Sequence, residues 1–199
     1  MSYTRQNPDV RRAALLDAAV ACLVSQGPTR VTTRAIAAEA GVSSGLLSHY
    51  FVDKEDLLKA AYLHLRELLR DAEDQALASA GEDPGNRLRA FLLCGFREPF
   101  LGATHLRARV VFWSLAVSDP AFAAVHNEIY ADWELRLSSL IDPFIPGITP
   151  TDRTVAALSA MADGLWLEHA TARASVHDPA DVIEAGIALV QTAAAFARP

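Results

Sequence analysis

Proline placement is the strongest constraint on what this chain can fold into. Pro8, Pro28, Pro84, Pro120, Pro150 and Pro179 each stand at the start of, or just before, a stretch of helical periodicity. A proline at that point loses nothing, because the first N–H groups of a helix have no acceptor within it. Asp119–Pro120, Thr149–Pro150 and Asp178–Pro179 read as an N-cap followed by proline at the first helical position. No segment alternates apolar and polar residues with a period of two, and no repeat is visible, so the expected fold class is all-α. Abundant alanine, with aromatics at only 8%, points the same way.

The spacing predicts helices over about 8–25, 33–40, 44–50, 53–80, 85–98, 103–118, 120–141, 150–174 and 179–197. Thr32 or Thr33 caps the second helix, and Gly41 follows it as the residue able to take a left-handed turn. Asp53 and Asp56 form a carboxylate capping box ahead of the fourth helix, whose apolar face carries Leu58, Ala61, Leu65, Leu68 and Ala72. That helix would span roughly 40 Å at 1.5 Å per residue.

Several classes drop out. No apolar run approaches the ~20 residues of a membrane helix and no secretory leader opens the chain, so a cytoplasmic protein without a membrane partner is expected. Cys22 and Cys94 fit no metal or disulfide spacing, which suits a reducing compartment. There is no nucleophile–base arrangement and no phosphate loop, and His105, His126, His169 and His177 are scattered. Neither an enzyme, a cofactor nor a metal site is expected.

The net charge of −6 is unevenly spread: residues 1–51 carry +2 and residues 52–199 carry −8. A mildly basic head on an acidic body suggests one part facing phosphate and another facing something else. Residues 32–50 give the head a specific form. A short helix, a turn containing Gly41 and a second short helix make a helix-turn-helix, whose second helix enters the major groove. Ile36, Ala40, Val42 and Leu47 supply its small core. Ser43, Ser44, Gly45, Ser48 and His49 cluster on the other side, where hydroxyls can bond phosphate or base edges and Gly45 permits close approach. An ordinary capped surface turn is the alternative on spacing alone.

Thr32-Thr33-Arg34-Ala35-Ile36-Ala37, Ala40-Gly41-Val42-Ser43-Ser44-Gly45, His49-Tyr50-Phe51, and Lys54-Glu55 with Leu57-Leu58 resemble the DNA-binding domain of the TetR repressor family. Ser48 stands where most members have tyrosine. It resembles the BetI-like subset, regulators of choline and glycine-betaine metabolism whose recognition helix also reads Ser-His-Tyr-Phe. Phe112-Trp113-Ser114, Asp119-Pro120 and Asp163-Gly164-Leu165-Trp166-Leu167 resemble that subset's C-terminal domain. The resemblance implies an Ω-shaped, all-α homodimer that represses by binding an operator in double-stranded DNA and is released by a small-molecule effector. It implies DNA contacts from Thr33, Arg34, Ser44, Gly45, Ser48, His49, Tyr50 and Lys54. Packing against the first helix is the alternative for Tyr50, and Arg5, Arg11 and Arg12 either reach DNA from the N-terminal arm or belong to a solvated tail.

The expected division is a helix-turn-helix domain over residues 1–52 and an effector-binding and dimerisation domain over 53–199. Aromatic faces with a carboxylate suit a cation such as choline, which makes Phe96, Phe112, Trp113, Trp133, Asp163 and Trp166 candidate effector residues. Core packing, or a solvated surface for the acid, is the alternative for each. Leu158, Leu165, Val182, Gly186, Leu189 and Ala193 are candidates for a four-helix dimer interface, with burial inside the monomer as the alternative. A helical dimer acting as a scaffold, or binding only a small molecule, remains the competing reading of the whole chain.

Overall fold

The structure, a computed structural model, describes residues 7–171 and 177–197, with side chains as far as Thr192. Among the described residues there are nine helices and no strand: α1 (Pro8–Gln26), α2 (Thr33–Glu39), α3 (Ser44–Tyr50), α4 (Lys54–Ser79), α5 (Pro84–Cys94), α6 (Ala103–Ser118), α7 (Pro120–Ile141), α8 (Arg153–Ala170) and α9 (Pro179–Ala197). The caps explain most boundaries. Asp119 and Asp178 accept the N–H groups of Ala121 and Ala180, both at 2.8 Å, directly behind their prolines. Asp53 accepts from the Asp56 N–H at 2.8 Å, and the Asp56 carboxylate accepts from the Val52 N–H at 3.0 Å, which closes the carboxylate capping box.

Three expectations need correction. The helix expected to continue to residue 98 ends at Cys94. Pro99 has no N–H to continue it, and Gly95 lies so close to Trp166 that a Cβ there would sit 2.5 Å from its Cζ2. The helix expected from residue 150 begins at Arg153, because Asp152, not Thr149, is the cap and accepts the Thr154 N–H at 2.7 Å. On α4 Leu69 is buried along with Leu57 and Leu58, while Leu68, expected on the apolar face, is 38% exposed.

The chain divides into two compact units, residues 1–66 with 107–125 and residues 67–106 with 126–199. The expected boundary at 52–53 falls inside the first. In that unit α1 packs on α2 and α2 on α3. Leu15, Leu16, Leu23, Ile36, Leu47, Leu57 and Phe112 are all but fully buried, and a hydrogen bond of 3.0 Å joins His64 of α4 to Asp17 of α1. In the second unit α5 and α8 pack on α9. Its apolar core joins Leu69 of α4, Leu88 and Phe91 of α5, Leu137 and Ile141 of α7, Leu158, Leu165 and Trp166 of α8, and Ile183, Ile187 and Val190 of α9.

Candidate nucleic-acid interface

The α2–turn–α3 segment is held rigidly by its own polar groups. Thr32, not Thr33, caps α2 by accepting the Ala35 N–H at 3.1 Å. Gly41 takes φ +65°, which an L side chain rarely tolerates, and the Val42 N–H returns to the Ala37 carbonyl at 2.9 Å. The Ser43 hydroxyl then accepts the Leu46 N–H at 3.2 Å and starts α3. Ile36, Ala37 and Leu47 are buried beneath, with Ala40 and Val42 half-buried. Two helices so braced present one fixed outer face.

Most of the residues expected to contact DNA are exposed on these two helices. Arg34, Ser44, Gly45, Ser48 and His49 are exposed, and Thr33, Tyr50 and Lys54 are half-buried. The Ser48 hydroxyl donates to the Ser44 carbonyl at 3.1 Å. A Cβ on Gly45 would find only Ser43 Oγ, 4.0 Å away, so nothing inside the chain demands a glycine there. The missing side chain therefore leaves room outward. Lys54 Nζ donates to the Pro28 carbonyl at 3.3 Å, which ties the start of α4 to the turn after α1. Tyr50 makes edge contact with His49 and a tilted one with Phe51, and the Arg12 guanidinium lies 5.6 Å from the Phe51 ring centroid. Arg5 lies outside the described residues. Val52, 91% exposed between Tyr50 and Lys54, was not singled out; its only signal in the sequence is an apolar residue placed in a turn.

The effector candidates fall into both units. Phe112 and Trp113 belong to the first. Phe112 is fully buried and stacked on Tyr62 at 4.5 Å, and Trp113 carries the Arg109 guanidinium at 5.8 Å. Phe96, Trp133, Asp163 and Trp166 belong to the second. There Phe96 and Trp166 are in contact at 5.4 Å, Trp133 stacks on Phe91 at 5.6 Å, and Asp163 accepts the Tyr130 hydroxyl at 2.8 Å. Tyr130 in turn packs on His126 at 4.4 Å. Among the described residues no group of three or more His, Cys, Asp or Glu is placed to hold a metal, and no helix is long and apolar enough to cross a membrane.

The interface candidates divide by burial. Leu158 and Leu165 are 4% and 5% exposed in the second unit's own core. Gly186 is buried too, where a Cβ would meet Met161 at 2.8 Å and Leu158 at 3.1 Å. These three pack α8 on α9 and have little surface left for a partner. Val182 is half-buried and Leu189 is 72% exposed, while the Ala193 side chain lies outside the described residues. Exposed residues beyond the interface candidates complete the outer faces: Ala157, Ala160, Gly164 and Leu167 on α8, and Ala185 and Ala188 on α9.

Comparison with known proteins agrees with this geometry. The family described as bacterial regulatory proteins, tetR family, matches residues 15–61, and the BetI-type transcriptional repressor C-terminal family matches residues 84–194. The HTH-type transcriptional regulator BetI of Burkholderia lata is 32% identical over 166 residues, covering 82% of this chain and 84% of its own. That of Stenotrophomonas maltophilia is 34% identical over 160 residues, covering 79% and 80%. Among solved structures, a transcriptional regulator from Pseudomonas aeruginosa PAO1 superposes with a TM-score of 0.84 at 29% identity, over 98% of this chain and 95% of that one. A transcriptional regulator from Saccharomonospora viridis, solved in complex with choline, shares the fold with a TM-score of 0.71 at 20% identity, over 94% and 95% of the two chains.

Proposed function

This chain belongs to the tetR family of bacterial regulatory proteins, with a BetI-type C-terminal region, and on that footing we propose that it is a homodimeric cytoplasmic repressor released from its operator by an organic cation. Its relatives are transcriptional regulators, not enzymes. The observation that carries the DNA reading is the exposed face of Arg34, Ser44, Gly45, Ser48 and His49 on the braced helix pair. Small hydroxyl and imidazole groups there suit base edges, and Arg34 suits phosphate. Thr33, Tyr50 and Lys54 flank that face as backbone contacts. In this reading residues 1–52 hold DNA and residues 53–199 bind effector and partner.

A dimer is supported by the outer faces of α8 and α9, where small residues permit close helix approach beside exposed Leu167 and Leu189. Two heads then meet half-sites about 34–36 Å apart, or somewhat more on a long operator. A cationic effector is supported by the −8 charge of residues 52–199, by the aromatic and acidic side chains of the second unit, and by the choline held by the Saccharomonospora viridis protein. Such a ligand releases DNA only by favouring the conformation with badly spaced heads. Footprinting on the intergenic DNA upstream of the gene, with and without choline, tests the reading. Two symmetric protected half-sites that open on adding choline are expected; an unprotected region at low salt overturns it.

A further inference from the structure

Glu73 of α4 is the most deeply buried charged side chain among the described residues, at 1% exposed. A carboxylate so placed demands a cation, because an unpaired buried charge is prohibitively costly. The cation it has is internal. Arg136 of α7 donates from Nη1 to Glu73 at 2.5 Å, and its guanidinium carbon lies 5.3 Å from the Phe91 ring centroid. The charge therefore lies between a buried carboxylate and the face of Phe91, whose ring is itself stacked on Trp133. All these residues lie in the second unit.

We propose that Arg136 is a built-in stand-in for the effector, occupying the site that an organic cation takes when it binds. The inference rests on the cationic-effector reading above and names its site and its switch. An aromatic face with a carboxylate is the environment a quaternary ammonium needs, since such an ion has no N–H to donate. Arg136 also has somewhere to go. Its Nη2 already donates to Asp74, whose side chain is 60% exposed, so the guanidinium can swing outward and keep one carboxylate while surrendering the other. This gives two discrete arrangements of one side chain, as a ligand-driven switch requires.

Displacement has a consequence for α4. Ties between this helix and α7 include the Arg136 bridge to Glu73 and Asp74, and Arg70 Nη1 to Asp132 at 2.8 Å. α4 is one continuous helix from Lys54 to Ser79. A ligand that takes Glu73 from Arg136 loosens the deeper tie at the end of α4 away from Lys54, and an incoming cation is favoured only in that loosened state.

Calorimetric titration of the full chain with choline chloride, and with uncharged 3,3-dimethylbutan-1-ol, tests this on wild type, R136M, R136K, E73Q, D163N and the double variant E73Q with R136M. With the competitor removed, R136M binds choline about tenfold more tightly than wild type, and R136K falls between, because an ammonium cannot bridge both carboxylates. E73Q and the double variant lose choline binding, while the double variant keeps a cooperative melt, having no unpaired buried charge. Should R136M alone fail to fold, R136K against wild type carries the comparison. The neutral alcohol binds all forms alike and weakly. The proposal is overturned if E73Q binds choline as wild type does, or if neither Arg136 variant gains affinity. Loss of binding in D163N with E73Q unaffected would move the cation to Asp163, overturning the stand-in and leaving the cationic effector intact. Absence of choline binding in both wild type and R136M would sink both.

Discussion

Replacing Gly45 with alanine separates the fold from the interface. Gly45 is the second residue of α3 after its Ser43 cap, and an added methyl would find nothing in the chain nearer than 4.0 Å. The folded protein should tolerate it. Restricting the unfolded chain stabilises by about 0.4–1 kcal/mol where the native backbone suits alanine. For a chain of this length that raises the melting temperature by about 1–4 °C. The complex should respond in the opposite sense. Carbon atoms pack best at about 3.5–4.0 Å, so a backbone already against the duplex has no room for another methyl. Moving α3 outward would strain the contacts proposed for Ser44, Ser48 and His49 together, and each base interaction broken costs about 1–3 kcal/mol. Breaking one of them weakens operator affinity by about 5–150-fold, at 1.4 kcal/mol per tenfold. Fluorescence anisotropy with a labelled operator duplex, beside thermal melts by circular dichroism, reads both quantities. A raised melting temperature with unchanged affinity would refute the reasoning, because α3 would then not approach DNA at Gly45.

Lys54→Ala should weaken binding to all sequences alike and remove the hydrogen bond to Pro28, whereas His49→Ala should chiefly alter base preference by about 1–3 kcal/mol; an operator-variant library distinguishes the two. Gly95→Ala forces a methyl to within 2.5 Å of Trp166, which is 5% exposed and backed by Phe96, so it should destabilise by about 1–3 kcal/mol in denaturant melts. The hydrogen bond from Arg89 holds the Glu184 carboxyl below its ordinary value of 4.5. Its stabilisation is therefore present above that pH and is lost as pH falls through it and below. With side chains 38% and 44% exposed the effect is small, and Glu184→Gln should slightly flatten the acid limb of the melting-temperature profile.

The head was legible because its signals are local. Thr32, Gly41 and Ser43 each act on backbone groups within five residues, and caps or a positive φ leave a direct mark in sequence. The same holds for Asp119 and Asp178 behind their prolines. Thr149–Pro150 misled because two potential caps stand three residues apart, and the Thr154 N–H is held by Asp152. The body is different. α9 is apolar around much of its circumference, and only packing shows that Ile183, Ile187 and Val190 face the core while Leu189 faces out. Leu158, Leu165 and Gly186 belong to the same apolar pattern, and only packing shows that they are buried within the monomer. The pairs that organise the second unit join residues far apart in the chain: Glu73 with Arg136, Arg89 with Glu184, and Tyr130 with Asp163. No periodicity carries such pairings, so nothing in the sequence marks Glu73 and Arg136, and Asp163 stands out there without its partner.

Salt-dependent anisotropy with the intergenic duplex and a scrambled duplex of equal length tests the DNA reading most directly. If the braced face of α2 and α3 reads an operator, two copies of the chain bind per duplex. The logarithm of affinity then falls linearly with the logarithm of salt, at about −0.9 per phosphate contact, and the scrambled duplex binds at least about a thousandfold more weakly. Equal affinity for both duplexes, or no binding at low salt by folded protein, would contradict it.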